Sequence, residues 1–125
     1  MKDMKERKER VYRFLISNGI RPYKKDFLEM EVKAVFHPIG GQLLGCVSFK
    51  EQVVDDEVRV WFYNLFVRED YRGCDIGRAL IQSIIYYLHS GSVLCCSYSR
   101  AWQREYYEKL GFQKLKGFRQ MYKIV

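Results

Sequence analysis

The feature that most restricts how this chain can fold is Val58 to Val67, VRVWFYNLFV, followed at once by the turn REDYRGCDIG and by the helical pattern RALIQSIIYYL, which ends at Leu88. A near-continuous run of β-branched and aromatic residues suits a strand buried on both faces, so the rest of the chain has to cover it. Asn64 is the one strongly polar residue deep in the run. If buried it needs partners, and it either marks an irregularity of the strand or bonds a neighbouring backbone group. A strand, a glycine-bearing turn and a helix in succession form a geometry that holds phosphate. The first helical turn leaves backbone N–H groups unpaired and carries the positive end of the helix dipole. Gly73 and Gly77 let backbone approach an anion with no Cβ in the way, and Arg72 adds a cation at the mouth.

The 125 residues, 48% apolar and 16% aromatic, suffice for one domain with a real core and are too few for two. The net charge of +7 is concentrated at one end, where residues 1–25 hold nine Lys or Arg against three acids. The expected organisation is therefore a basic N-terminal helix and connection over 1–25, belonging to the same domain as a core over 26–125. A basic helix of this kind reads as a solvated face, so nucleic acid is not expected as a partner. Cys46, Cys74, Cys95 and Cys96 form no Cys-x-x-Cys pair and have no histidine cluster beside them, which argues for reduced thiols and no metal. No stretch approaches the roughly 18 apolar residues of a membrane span, and the N-terminus is charged where a signal peptide is apolar. A soluble, cytoplasmic protein is expected.

In chain order, Lys2 to about Ser17 predicts one amphipathic helix ending at Asn18–Gly19, and Asp26 to Met30 a short helical turn. Glu31 to His37 alternates, with Val32, Ala34 and Phe36 on one face. Pro38 to Gly41 turns the chain into a second strand over Leu43 to Lys50, and Asp55–Asp56–Glu57 forms the turn before the apolar run. His89–Ser90–Gly91 reads as the end of the central helix. Ser92 to Ser97 is a short strand, and Arg100 to Leu110 a helix closed by Gly111. In that helix Trp102, Tyr106 and Leu110 are expected to face the core and Glu105 to pair with Lys109, while Tyr107 lies about 100° round from Tyr106. Phe112 to Leu115 and Phe118 to Val125 supply two closing strands.

Two segments carry a resemblance. Arg72-Gly73-Cys74-Asp75-Ile76-Gly77, after an apolar strand that ends in Val67, is similar to the Arg-x-x-Gly-x-Gly/Ala signature of GNAT acyl-CoA N-acyltransferases, with Asp75 where the family usually has glycine. Tyr106-Tyr107-Glu108-Lys109-Leu110-Gly111-Phe112 resembles the family's aromatic-Tyr-Glu-Lys-x-Gly-Phe segment, in the right order and on the right element. The likeness covers about residues 31–125. It implies an α+β sandwich, with a mixed, mostly antiparallel central sheet and helices on both faces. It also implies acetyl-CoA as cosubstrate, no metal, and a small-molecule or peptide amine as acceptor; a homodimer stays open.

By the same resemblance, Leu65, Phe66 and Val67 lie along the pantetheine arm, with a backbone N–H near Val67 as oxyanion donor. Arg72, Gly73, Cys74, Asp75, Ile76, Gly77 and Arg78 surround the pyrophosphate. Tyr107 hydrogen-bonds the departing CoA sulfur. With ordinary values near 10 for tyrosine and 8.5 for a thiol, full proton transfer is uphill by roughly 2 kcal/mol, so the expected role is stabilising the thiolate. The acceptor must lose a proton too, at about 4.6 kcal/mol for a lysine-like amine at pH 7. Glu57 and Glu69 flank the strand, but neither is placed as a base. Where the family often has Asn and then Ala three residues on, this chain has Arg100 and Gln103, so the Asn contact to pantetheine is either missing or replaced by Arg100. The competing readings are a CoA-binding or regulatory module without catalysis and, more distantly, a nucleic-acid-binding basic arm.

Overall fold

The computed structural model describes residues 2–125. Helix α1 (Lys2–Ser17) and short helix α2 (Lys24–Glu29) lead into strands β1 (Glu31–Phe36), β2 (Leu43–Val54) and β3 (Glu57–Val67). A 3-10 turn (Glu69–Tyr71) precedes α3 (Ile76–Ile85). Then come β4 (Val93–Ser97), α4 (Ala101–Lys109), β5 (Gln113–Lys114) and β6 (Gln120–Ile124). The strands form one sheet in the order β1-β2-β3-β4-β6-β5, in which β3 and β4 are parallel and all other neighbours antiparallel. This is the α+β sandwich that the two motifs imply.

Strand alternation assigns the layers. On one face Val47, Val60 and Phe62 pack with Leu80, Ile81 and Ile84 of α3 and with Tyr107 of α4. Gly45 permits the close approach of α3, because a Cβ there would stand 3.0 Å from the Phe66 carbonyl oxygen and 3.2 Å from Ile76 Cγ2. On the other face Cys46 meets Val11 and Leu15 of α1 and Phe27 of α2, and Val32, Ala34 and Phe36 of β1 join them. The four-residue spacing of Val11 and Leu15 puts both on one helical stripe, and both are fully buried. The β2–β3 hairpin turns at Asp55 and Asp56, whose φ values of 50° and 63° suit the two-residue turn that follows the twist of the strands.

Within β3 the pairing slips. Tyr63 lies opposite Ser48 and Phe66 opposite Cys46, so Asn64 and Leu65 together face the single residue Val47, and Asn64 sits at φ 56°. This is a β-bulge, and it reverses which residues face which layer. Phe62 before it and Leu65 and Val67 after it belong to the α3 side, while Phe66 crosses to α1 and meets Phe14 edge-on at 5.7 Å. The Asn64 amide Nδ2 donates to Ser48 Oγ at 2.8 Å, and that hydroxyl donates to the Tyr63 carbonyl at 3.1 Å. Asn64 thus marks a strand irregularity, and its amide bonds a serine rather than backbone.

The parallel β3–β4 ladder covers only Arg59–Val93, Val60–Leu94 and Trp61–Cys95. Past Trp61 the bulge carries β3 away, while β4 continues through Ser97 with β6 alone. The two strands splay, and a gap opens between them.

Two expectations need correction here. The central strand is not buried on both faces, since only Val60 and Phe62 of its eleven residues are buried. Helices α1 and α2 cover β1, β2 and the far end of β3, which leaves the Trp61–Tyr63 side open. The central helix ends at Ile85 rather than Leu88, because Tyr86 and Tyr87, 80% and 69% exposed, have no surface to bury against. Gly91, at φ 93°, instead starts the path into β4 by donating to the Val125 carbonyl at 2.7 Å, so His89 is not at a helix end.

Candidate active site

The gap leads into a cleft of about 440 Å3 with three walls. The first is the end of β3, through Leu65, Phe66 and Val67. Phe66 pairs with Cys46, and the Arg68 N–H donates to the Leu44 carbonyl at 2.8 Å, so the backbone groups of residues 66 and 68 point to β2. By alternation Leu65 and Val67 turn theirs to the gap, where β4 no longer meets them. An extended arm carrying amide groups can pair with that free edge as a strand would.

The second wall is the turn and the start of α3: Tyr71, Arg72, Gly73, Asp75, Ile76 and Gly77. Arg72 Nε donates to the Val67 carbonyl at 2.9 Å and its guanidinium lies 5.3 Å over the Phe66 ring, which ties the turn to the strand end. Gly73 and Asp75 take left-handed conformations, φ 87° and 61°; aspartate is one of the few side chains that tolerates this. The Asp75 carboxylate makes no capping bond to α3, is 84% exposed and lies 3.9 Å from Arg78 Nε. The Ala79 N–H is the first to bond back, to the Asp75 carbonyl, which leaves those of Ile76, Gly77 and Arg78 without a partner inside the helix. An anion at the mouth of the cleft meets these donors.

The third wall is α4, where Tyr106 and Leu110 of the expected stripe pack against the core and Trp102 does not. Trp102 is 63% exposed and lines the cleft together with Gln103, Tyr106 and Tyr107, while Tyr107 is the buried residue of the helix. The short helix leans on the sheet through Tyr107, which meets Phe62 edge-on at 5.6 Å and Phe112 at 5.8 Å. The ion pair on its outer side is Arg104–Glu108 at 2.7 Å, not Glu105 with Lys109. Tyr106 reaches across to α3: a Cβ on Gly77 would run into its hydroxyl, so helix packing alone already demands glycine there.

Burial pushes the Tyr107 phenol up, and Cys96 and then Tyr106 push the same way. The group keeps its proton throughout the physiological range and can donate it. No buried side-chain polar atom lacks a partner among the described residues, so the Tyr107 hydroxyl, which has no protein acceptor, opens on the cleft. Gln103 Oε1 accepts from the Ser99 and Arg100 N–H groups at 2.9 and 3.1 Å and from the Ser99 hydroxyl at 3.1 Å. Its oxygen thus holds the start of α4, and its NH2 remains free for the cleft.

Of the residues singled out from sequence, the cleft brings together Leu65, Phe66, Val67, Arg72, Gly73, Asp75, Ile76, Gly77 and Tyr107. Cys74, Arg78 and Arg100 lie outside its lining. Tyr71, Trp102, Gln103 and Tyr106 are the additions; Tyr106 opens the second family segment and Gln103 stands at a family position, whereas Tyr71 and Trp102 had only their closeness in sequence to the motifs as a signal.

On the opposite face of the sheet a shallower cleft of about 480 Å3 is lined by Lys50, Glu51, Gln52, Trp61, Tyr63, Ser97 and Gln120. Tyr63 and Ser97 stand just past the last β3–β4 pair, one on each lip of the same gap. Among the described residues no three His, Cys, Asp or Glu side chains gather as a metal-binding group, and no helix is long and apolar enough to cross a membrane.

A splayed sheet with an uncovered strand edge, beside an anion-binding turn, defines a class of acyl-CoA-binding fold, and the family comparison agrees. The model of the acetyltransferase (GNAT) domain matches residues 30–114, and the chain belongs to that family. Arabidopsis thaliana NAA60 in complex with acetyl-CoA has a similar structure, with a TM-score of 0.73 and 17% identity over 94% of this chain and 93% of that one. The Bacillus subtilis N-acetyltransferase YlbP in complex with coenzyme A has a TM-score of 0.68 at 16% identity, with 91% of each chain covered. A GNAT-family acetyltransferase from Staphylococcus aureus Mu50 has a TM-score of 0.73 at 16% identity, over 94% and 92%. At these identities the likeness establishes the fold. A sequence search of curated proteins finds no match.

Proposed function

We propose that the protein transfers an acetyl group from acetyl-CoA to a primary amine by direct attack on the thioester. The observation that carries this reading is the gap beyond Trp61 and Cys95, with the Leu65 backbone and the Val67 N–H free on its edge and the Tyr107 hydroxyl in its wall. The cleft fits the cosubstrate by its chemistry. The strand edge suits the amides of a pantetheine arm, and the first turn of α3 with Arg72 suits a pyrophosphate. The apolar ring faces of Trp102 and Tyr106 wall the passage between them. Acetyl-CoA supplies an activated acyl group; the rest is the work of the chain's own residues.

The acceptor's nitrogen reaches the carbonyl from the other cleft, between Tyr63 and Ser97. As its C–N bond forms and the C–S bond breaks, the charge that develops on the carbonyl oxygen falls beside the Val67 N–H. Charge on the departing sulfur falls to the Tyr107 hydroxyl. With its phenol pushed above the ordinary value, Tyr107 stabilises the thiolate by a hydrogen bond and does not protonate it outright; the proton that the attacking nitrogen loses passes to solvent through the open acceptor cleft, and the departing thiolate takes one up from solvent. No enzyme thiol is needed: burial pushes Cys46 and Cys96 up to about 12, far from the thiolate form.

A reading as a CoA-binding module without turnover is favoured by Asp75, whose carboxylate lies at the mouth of the anion site. One substitution separates the two. Tyr107→Phe keeps the aromatic contacts with Phe62 and Phe112 and removes the hydroxyl alone. It is expected to lower kcat about tenfold to a hundredfold, with acetyl-CoA affinity changed less than about twofold. A variant as fast as the parent removes Tyr107 from the mechanism. Tight CoA binding with no thiol release against a broad amine panel sinks the transferase reading in favour of the binding module.

A further inference from the structure

The acceptor cleft carries one cation that no carboxylate pairs with among the described residues. Lys50 lies opposite Trp61 in the β2–β3 ladder, its ammonium 5.5 Å from the centre of the Tyr63 ring, and it forms no ion pair among the described residues. The neighbouring cation on this face, Arg59, is neutralised by Glu57 at 3.1 Å. Glu51 borders the cleft but pairs with Val60, which packs toward α3, so its side chain belongs by alternation to the other face of the sheet. The remaining groups are neutral. Trp61 Nε1 donates to Gln52 Oε1 at 3.2 Å, which ties the indole to β2, and Tyr63, Ser97 and Gln120 complete the lining.

An uncompensated cation discriminates between amines. It repels a simple alkylammonium and attracts a molecule that carries an anion at its far end, and it favours the neutral, nucleophilic form of a nitrogen held nearby. Tyr63 lies two residues beyond Trp61 along β3, about 7 Å closer to the gap. The Lys50 ammonium leans toward that lip, 5.5 Å from the centre of the Tyr63 ring, so an anion paired with it lies within the length of an amino acid of a nitrogen between Tyr63 and Ser97, and about 480 Å3 accommodates such a molecule.

We propose that the acceptor is a primary amine of amino-acid size that also bears a carboxylate or phosphate, anchored by Lys50, laid on Trp61, and with its nitrogen between Tyr63 and Ser97. This rests on the acetyl-transfer reading, and the test keeps the two apart. Each of the protein's two tryptophans lines one cleft, Trp102 the cosubstrate's and Trp61 the acceptor's. Their indole N–H resonances, assigned with single Trp→Phe variants, report the two sites separately.

The experiment measures acetylation of matched pairs, 4-aminobutyrate against butylamine for the carboxylate and O-phosphoethanolamine against ethanolamine for the phosphate, alongside the indole spectra. In at least one pair the anionic member is expected to have the higher kcat/KM, by about fivefold or more at low salt. Lys50→Gln abolishes that preference and Lys50→Arg retains it. The preferred pair then shows which anion is read. Anionic amines move the Trp61 signal, whereas acetyl-CoA moves Trp102. Equal rates within both pairs, a preference that survives Lys50→Gln, or a Trp61 signal that no anionic amine moves while acetyl-CoA moves Trp102, each overturn the proposal and leave the cosubstrate reading standing. A Trp102 signal unmoved by acetyl-CoA overturns both.

Discussion

At Asp75 two effects of a single side chain oppose each other. Its backbone adopts the left-handed conformation that the turn needs, φ 61° and ψ 19°, and the substitution for glycine is tolerated there. Its carboxylate has no helix-capping role and stands at the mouth of the proposed pyrophosphate site, with Arg78 3.9 Å away as partial compensation. Asp75→Gly keeps the conformation and removes the repulsion. CoA is expected to bind about threefold tighter at low ionic strength, with the gain fading as salt screens it, measured by titration calorimetry at two salt concentrations. Weaker binding in the variant would show that the carboxylate organises the turn. The identity of this residue was plain in the motif, but its orientation was not, because an N-cap aspartate either bonds the helix or faces solvent and only the surrounding backbone decides between them.

At the scale of elements, α3 and α4 are locked by one close approach. A Cβ on Gly77 meets the Tyr106 hydroxyl, while the next atom, Cζ, stands 3.4 Å away at ordinary contact. Gly77→Ala is therefore expected to cost about 1–3 kcal/mol of stability by overpacking, although alanine has the better helix propensity by about 1 kcal/mol. Tyr106→Phe in the same chain restores most of it, since only the hydroxyl is in the way. Denaturant titration of the single and double variants checks this, and equal losses in both would mean that the contact is not the cause. The glycine was legible as a motif position with a phosphate-facing reason. The reason found on α4 was not, because the local pattern shows that Tyr106 faces inward but not that its hydroxyl reaches Gly77 of α3, which the lean of the nine-residue helix on Phe62 and Phe112 decides.

For the molecule as a whole, the two clefts exist because the sheet is continuous at one end and split at the other. Pairing from Arg59 to Trp61 holds the halves together, and the bulge at Asn64 parts them. A ligand that fills such a split bridges both halves and stabilises the folded state in proportion to its occupancy. Acetyl-CoA at 100 times its dissociation constant is expected to add about 2.7 kcal/mol, which for a domain of this size raises Tm by roughly 10 °C. Differential scanning fluorimetry with acetyl-CoA, CoA and no ligand measures it. A melting point unchanged by either nucleotide at millimolar concentration would remove the cosubstrate from the site.

The sequence by itself determined the elements and their order, the alternation in β1, the strand–turn–helix succession and the two family segments, since each depends on residues adjacent along the chain. Tertiary structure decided which residues those elements turn toward one another. Asn64 was visible as an anomaly, yet the reversal of faces after it depends on its register against Ser48 and Cys46. The open Trp61–Tyr63 face depends on where α1 and α2 come to rest, and Lys50 lines the second cleft only because the hairpin sets it across from Trp61. Side-chain spacing along a strand or helix is set locally by backbone geometry, whereas the partner that a face meets is set by contacts between residues far apart in sequence.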